Sequence, residues 1–185
     1  MPKNVLLLHG TRGSPRENWF PWLKEQVEGQ GWKVWVPDLP DADHPVAQKS
    51  IDYVFANKDW QFNEESVMVG HSSGAVTTLG LIQELPEGVK IKRAIMVGVF
   101  RGDLGREDLK DLVQKEWDLE KIKARCQEFI FIHSDNDPYC PLEHAKWWTE
   151  QLNGKLVVFP GRGHFSIRTI GENARKIPEI LEYIR

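Results

Sequence analysis

One stretch of the chain, residues 66–84, constrains the fold more than any other. It reads SVMVGHSSGAVTTLGLIQE: an apolar run, a turn between two glycines and an amphipathic segment. This order predicts a strand that passes through a sharp turn directly into a helix. The turn has the pattern G-x-S-x-G, which between a strand and a helix is typical of a serine nucleophile, here Ser72. The alternative is a glycine-rich turn that binds nothing.

The rest of the chain repeats the alternation of strand and helix. Short apolar runs predict strands at residues 5–9, 32–36, 66–69, 93–99, 129–133 and 156–159. Helical patterns occur after Pro21, at residues 47–57, 73–85, 101–125 and 141–152, and around Ile177, Ile180, Leu181 and Ile184. This alternation favours an α/β fold with a mainly parallel sheet, which binds ligands at the carboxyl ends of its strands.

The composition limits the classes of protein to which the chain can belong. A length of 185 residues predicts a single domain, 1–185, and 41% hydrophobic with 28% charged residues excludes a disordered composition. A net charge of −3 gives no basic surface for nucleic acid. No apolar run approaches the roughly 20 residues that span a membrane, and the run at residues 5–8 is too short for a secretory signal. We therefore expect neither a nucleic-acid nor a membrane partner.

Cysteines and cofactor motifs narrow the chemistry. Cys126 and Cys140 are isolated thiols without metal-type spacing, which fits a reducing, cytoplasmic location. Neither a phosphate-binding nor a dinucleotide-binding glycine pattern follows a predicted strand, so we expect no cofactor. A solvated loop is a better interpretation than a metal site for one cluster, which consists of Asp38, Asp41, Asp43 and His44.

A serine nucleophile requires a base and an acid that orients the base, and later loops supply both. The loop after the fifth strand contains Asp135 and Asp137, and the loop after the sixth contains His164. The order serine, aspartate, histidine is that of α/β-hydrolases. The pattern leaves the acid open between Asp135 and Asp137, because one of them could cap the turn. The histidines at other strand ends, interpreted as loop or supporting residues, are His9, His71 and His133.

The same edge of the sheet predicts an oxyanion hole and a substrate pocket. Position alone selects the backbone N–H groups of Ser73, directly after the nucleophile, and of Thr11, in the loop after the first strand. Aromatic side chains near the strand ends are candidates for substrate binding. These candidates are Trp19, Phe100, Trp117, Tyr139 and Phe165.

These motifs together resemble the α/β-hydrolase fold and, more narrowly, the small serine hydrolases grouped with retinoblastoma-binding protein nine. The segments on which this resemblance rests are Leu-Leu-Leu-His-Gly at 6–10, Gly-His-Ser-Ser-Gly at 70–74, Ser-Asp-Asn-Asp-Pro at 134–138 and Gly-His-Phe at 163–165. The resemblance implies a three-layer sandwich whose six strands have the order 2-1-3-4-5-6. It also implies that the two leading antiparallel strands of larger relatives are absent, with little or no lid, although residues 101–125 could supply a small one.

The resemblance also assigns site residues. It places the acid on the aspartate directly before proline, Asp137, the nucleophile on Ser72 and the base on His164. The family name suggests binding to a retinoblastoma-type pocket through Leu-x-Cys-x-Glu. Residues 124–128 read Ala-Arg-Cys-Gln-Glu and lack the leading leucine, so no protein partner is predicted.

Two functional hypotheses follow. The first is a serine hydrolase that cleaves a small carboxylic ester or amide through an acyl-enzyme, with a small acyl compound as its substrate. The second is a catalytically weak binding module on a hydrolase scaffold, because a fold does not fix a function. A complete set of nucleophile, base and acid favours the first hypothesis.

Overall fold

The sheet is built from short apolar runs whose side chains alternate between two faces. A computed structural model describes residues 1–113 and 116–184. Within these residues all strands pair in parallel, in the order β2-β1-β3-β4-β5-β6. The strands are β1 Asn4–Leu8, β2 Lys33–Trp35, β3 Ser66–His71, β4 Ile91–Val97, β5 Cys126–Ser134 and β6 Lys155–Phe159. The predicted fold class and strand order are confirmed.

Helices cover both faces of the sheet and bury two cores. They are α1 Phe20–Glu28, α2 Ala47–Ala56, α3 Ser73–Glu84, α4 Leu119–Arg125, α5 Leu142–Leu152, α6 Ile167–Ile170 and α7 Pro178–Leu181. Leu6 and Leu8 of β1 point into the core under α2, α3 and α5. Val5 and Leu7 point into the opposite core, under α1 and the C-terminal segment. A parallel sheet buried on both faces requires such continuous apolar strands.

The register of the sheet places several loops at one edge. Leu8 of β1 is aligned with Gly70 of β3, and Val97 of β4 is aligned with both His71 and Ile132 of its two neighbours. The strands are parallel, so their carboxyl ends meet at this edge. The loops that leave β1, β3, β4, β5 and β6 are therefore neighbours.

Two predicted helices differ from the observed structure. The described part of the predicted helix 101–125 contains a 3₁₀ segment, Glu107–Leu112, and α4, and positive φ angles at Gly102 and Gly105 exclude a regular helix before Glu107. Residues 114 and 115 of this predicted helix lie outside the described residues. The helix predicted around Ile177, Ile180, Leu181 and Ile184 is shorter than expected: only α7 is α-helical, with Pro178 at its first position. The two segments before it, α6 and a 3₁₀ segment Gly171–Arg175, are not part of that prediction. No helix in the described part is long and apolar enough to cross a membrane.

Candidate active site

Ser72 occupies a strained turn between β3 and α3. Its backbone has φ = 58° and ψ = −122°, a conformation that non-glycine residues rarely adopt. Strain of this kind costs on the order of 1–3 kcal/mol and is concentrated at functional sites. Gly74 allows the turn to pack directly on the carbonyl groups of Leu8 and His9, where a side chain would have no room. The turn therefore has the geometry that the sequence pattern predicted.

His164 and Asp137 form a buried hydrogen-bonded pair. His164 Nδ1 lies 2.7 Å from Asp137 Oδ2, and the Asp137 side chain is 1% exposed. Burial would raise the pKa of Asp137, but the hydrogen bond and charge of His164, with the N–H groups of Cys140 and Tyr139, lower it overall. The ionised carboxylate accepts the Nδ1–H of the imidazole, which leaves Nε2 as an acceptor.

The nucleophile turn and this pair lie at the same point of the edge. The Ser72 N–H donates to the Val97 carbonyl over 2.8 Å. Gly98, which follows Val97, lies directly against the His164 ring. The His71 ring is 4.8 Å from the His164 ring, measured between centroids. In the described part of the chain, Ser72 Oγ makes no hydrogen bond. The hydrogen bond between a catalytic hydroxyl and its base is often long in free enzymes and shortens when substrate binds.

The two predicted oxyanion donors are linked to each other. Thr11 Oγ1 donates a hydrogen bond of 2.9 Å to Ser73 Oγ. The neighbouring N–H groups of Arg12 and Gly13 are used by the carbonyls of Ala42 and Gly10. Across residues 1–113 and 116–184, the N–H groups of Thr11 and Ser73 have no hydrogen-bond partner. Ser73 is also the first residue of α3, where the helix dipole favours a negative charge.

Comparison with known proteins identifies the family of the chain. The profile of the serine hydrolase family matches residues 5–180. The chain belongs to the serine hydrolase family. Serine hydrolase RBBP9 of Rattus norvegicus is 27% identical over 186 residues, covering 97% of this chain and 96% of the rat protein. The hydrolase YdeN of Bacillus subtilis (strain 168) is 26% identical over 166 residues, covering 89% and 87% of the two chains.

Solved structures of other proteins have the same fold as this serine hydrolase. The crystal structure of the ydeN gene product from B. subtilis superposes with a TM-score of 0.90 at 23% identity, covering 98% of this chain and 96% of that one. Est1E from Butyrivibrio proteoclasticus superposes with a TM-score of 0.70 at 18% identity, covering 99% and 88%. The resemblance predicted from the motifs is confirmed at the level of family and fold.

Three further buried histidines fix the loops of this serine hydrolase. His71 Nε2 lies 2.8 Å from the His164 carbonyl, and burial lowers the pKa of His71 to about 3. His71 is therefore neutral and donates Nε2–H to that carbonyl. His133 Nε2 lies 2.9 Å from the Cys140 carbonyl. His9 accepts from the Leu39 N–H over 3.0 Å. All three stabilise loops at this edge, in agreement with their interpretation from the sequence.

The loop after β5 positions the loop that contains His164. Oxygen atoms of Ser134, Asp135 and Asn136 accept hydrogen bonds of 2.8–2.9 Å from successive backbone N–H groups in that loop. Asp135 binds the Gly161 N–H, whereas Asp137 binds the imidazole. Sequence reasoning missed Ser134 and Asn136. The signal was present in the unbroken polar run that follows β5.

The five candidate substrate residues divide into three groups. Trp19 and Phe165 are fully buried in the core on the α1 side, and Trp19 stacks on Phe20 with ring centroids 4.2 Å apart. Neither can touch a substrate without a rearrangement, because sequence proximity to the edge does not fix side-chain direction. Phe100 and Trp117 line a cavity of about 210 Å³. Tyr139 is 46% exposed and its ring lies edge-on to His164 at 5.2 Å.

Three side chains of types that can bind a metal ion lie close together. Asp137, Cys140 and His164 offer ligand atoms within 4.8 Å of one another. Burial raises the pKa of the Cys140 thiol well above its ordinary value, so the thiol stays protonated and is a poor ligand. The other two residues already form the hydrogen-bonded pair. This chemistry favours proton transfer over metal binding.

Proposed function

We propose that this serine hydrolase cleaves small carboxylic esters or amides through an acyl-enzyme on Ser72, with His164 as base and Asp137 as orienting acid. The observation that supports this assignment best is the 2.7 Å bond between an ionised, buried carboxylate and the imidazole beside a strained serine turn. An esterase domain from a Rhodothermus marinus protein is among the structural neighbours, which supports esters as the first substrate class to test.

The first half of the proposed reaction forms the acyl-enzyme. Ser72 Oγ attacks the substrate carbonyl while His164 Nε2 takes the hydroxyl proton. The tetrahedral oxyanion accepts hydrogen bonds from the N–H groups of Thr11 and Ser73, each worth roughly 10²–10³ in rate at comparable sites. His164 then gives its proton to the leaving alcohol or amine as the bond between it and the carbonyl carbon breaks.

The second half releases the acid. Water attacks the acyl-enzyme while His164 Nε2 takes a proton from it. The second tetrahedral intermediate collapses, Ser72 regains its proton from His164, and the carboxylic acid leaves. Asp137 stays ionised throughout and stabilises the imidazolium that forms at each step.

Covalent labelling with a fluorophosphonate probe tests the nucleophile. We expect the wild-type protein and Ser50→Ala, which removes a hydroxyl from α2, to be labelled, and Ser72→Ala to lose both labelling and p-nitrophenyl acetate hydrolysis. Equal labelling of Ser72→Ala would reject Ser72 as the nucleophile. An unlabelled wild-type protein would reject the hydrolase proposal and favour a binding module on this scaffold.

We also propose a cytoplasmic location. The two thiols, Cys126 and Cys140, are free and buried, which suits a reducing compartment. Cell fractionation with an antibody against the chain tests this proposal, and recovery in the secreted fraction would contradict it.

A further inference from the structure

A pocket of aromatic side chains lies against α3, the helix that begins directly after Ser72. Its volume is about 210 Å³, and its walls include Phe100, Trp117, Trp147 and Trp148. The rings of Trp117 and Trp147 each meet the ring of Trp148 nearly at right angles, with centroids 5.3 Å and 4.8 Å away. A cavity of about 150 Å³ with apolar walls is large enough for benzene. The pocket therefore has room for one aromatic ring and a short substituent.

The walls of this pocket are fixed before any ligand binds. Trp148 is buried, and its Nε1–H donates to the Phe100 carbonyl over 3.1 Å. The Arg101 N–H donates to His144 Nδ1 over 3.1 Å, which holds the next residue of the same loop. Binding into walls that are already ordered avoids the entropy cost of ordering them.

A guanidinium group gives the pocket a charge. Arg101 lies with its guanidinium carbon 3.8 Å from the centroid of the Trp147 ring. Within residues 1–113 and 116–184, Arg101 makes no ion pair with a carboxylate. Stacking uses the face of the guanidinium and leaves the N–H groups along its edge available for a planar, bidentate anion. A carboxylate fits this arrangement, whereas an ammonium group would be repelled.

The pocket shares its walls with the elements that position the catalytic groups. Val76 lines it and lies one helical turn after Ser72, about 6 Å along the axis of α3. Phe100 follows Gly98 by two residues, at most about 7 Å along the chain, and Gly98 contacts the His164 ring. The elements that hold Ser72 and approach His164 therefore also form walls of the pocket, and the proposal below requires a short linker between the bond that is cleaved and the group that the pocket binds.

We propose that this tryptophan pocket binds a part of the substrate that combines one aromatic ring with a carboxylate. The ring occupies the space between the tryptophans, and the carboxylate pairs with the edge of the Arg101 guanidinium. This inference rests on the proposed function for its link to hydrolysis, but the binding itself does not require turnover. The substrate class is thus an ester or amide that carries both an aromatic ring and a carboxylate close to the bond that is cleaved.

Calorimetry on Ser72→Ala protein tests the binding separately from catalysis. The probes are 3-phenylpropionate and its neutral match, 3-phenylpropionamide. We expect the acid to bind about tenfold more tightly than the amide, because only the acid forms a charge-assisted pair. Adding Arg101→Gln should remove this difference, and Arg101→Lys should keep part of it. Adding Arg175→Gln, a surface change on the C-terminal 3₁₀ segment, should leave it unchanged.

A second measurement relates the pocket to the active site. In the wild-type protein, 3-phenylpropionate should inhibit p-nitrophenyl acetate hydrolysis competitively. Equal affinity for acid and amide, no binding of either, or an Arg101→Gln protein that still prefers the acid would overturn the pocket proposal. Non-competitive inhibition would overturn its role in substrate binding. Acid-selective binding in a protein that no fluorophosphonate labels would reject the proposed hydrolysis while the ligand class stands.

Discussion

Replacing Gly98 with alanine would test whether the catalytic rate depends on the observed position of the His164–Asp137 pair. Gly98 has φ = 62° and lies between the strand β4 and the catalytic pair. A Cβ at this position would lie 3.0 Å from His164 Cε1, 3.2 Å from His164 Nδ1 and 3.6 Å from Asp137 Oδ2. Carbon atoms in contact are about 3.5–4.0 Å apart. The imidazole would therefore have to move by a few tenths of an ångström.

Two costs follow from this change, and they differ in kind. An alanine at positive φ loses on the order of 1 kcal/mol of stability through its backbone. The displaced imidazole loses alignment with Asp137 and with the hydroxyl of Ser72. A misplacement of about 1 Å at a reacting group can cost about 100-fold in rate, so a displacement of a few tenths of an ångström predicts a severalfold loss of kcat.

Gly105→Ala provides the matched control. Gly105 lies in the same connection between β4 and β5 and has φ = 68°, and a Cβ at this position would have no neighbouring atom within 4 Å. We expect both variants to lose similar stability in urea unfolding, and only Gly98→Ala to lose kcat for p-nitrophenyl acetate. If Gly98→Ala kept wild-type kcat, or if both variants lost activity equally, the position of His164 would not depend on this contact.

Three further changes test separate parts of the site. Asp137→Asn should lower kcat by roughly 10³-fold or more, and Asp135→Asn, which keeps an acceptor for its loop, should change kcat little; similar losses in both would refute Asp137 as the acid. Thr11→Val removes the hydrogen bond to Ser73 Oγ and should lower kcat severalfold with KM unchanged, while a change in KM alone would contradict a role in oxyanion geometry. Because burial lowers the pKa of His71 from 6.5 to about 3, the unfolded state takes up its proton first and stability falls as pH drops below about 6.5. His71→Gln should reduce that loss by about 1 kcal/mol per pH unit in urea unfolding, and unchanged pH dependence would show that His71 is not the group responsible.

The sequence predicts the fold because its apolar pattern is simple. The buried stretches of the central strands, such as residues 5–8 and 94–97, are apolar runs. Pro21, Pro141 and Asn153 mark helix ends where the structure has them. The prediction is less accurate for residues 101–125 and for the C-terminal helix. Positive φ angles at Gly102 and Gly105 exclude a regular helix before Glu107. After α7, the N–H groups of Tyr183 and Ile184 bond to carbonyls three residues earlier, so the α-helix ends at Leu181.

The sequence likewise predicts some features of the site and leaves others open. Motif order identifies Ser72 and His164, but the residues themselves leave Asp135 and Asp137 as equal candidates for the acid. Only three-dimensional structure shows that Asp135 accepts from a backbone N–H while Asp137 accepts from the imidazole. Side-chain direction is equally hidden, since Trp19 points into the core although it lies near the same edge. Direction depends on packing between distant elements, which no local pattern records.

The histidines at this edge differ in what their ring nitrogens contact. His71 and His133 have a lowered pKa caused first by burial, and the ring hydrogens of both are directed to backbone carbonyls. His133 Nε2 lies 3.9 Å from Asp137 Oδ2, beyond hydrogen-bond distance, so it does not compete for the carboxylate. His164 combines a 2.7 Å bond to Asp137 with contact to the exposed ring of Tyr139. Among these three imidazoles, His164 is therefore the one bonded to an ionised carboxylate, which is the contact that the proposed base requires.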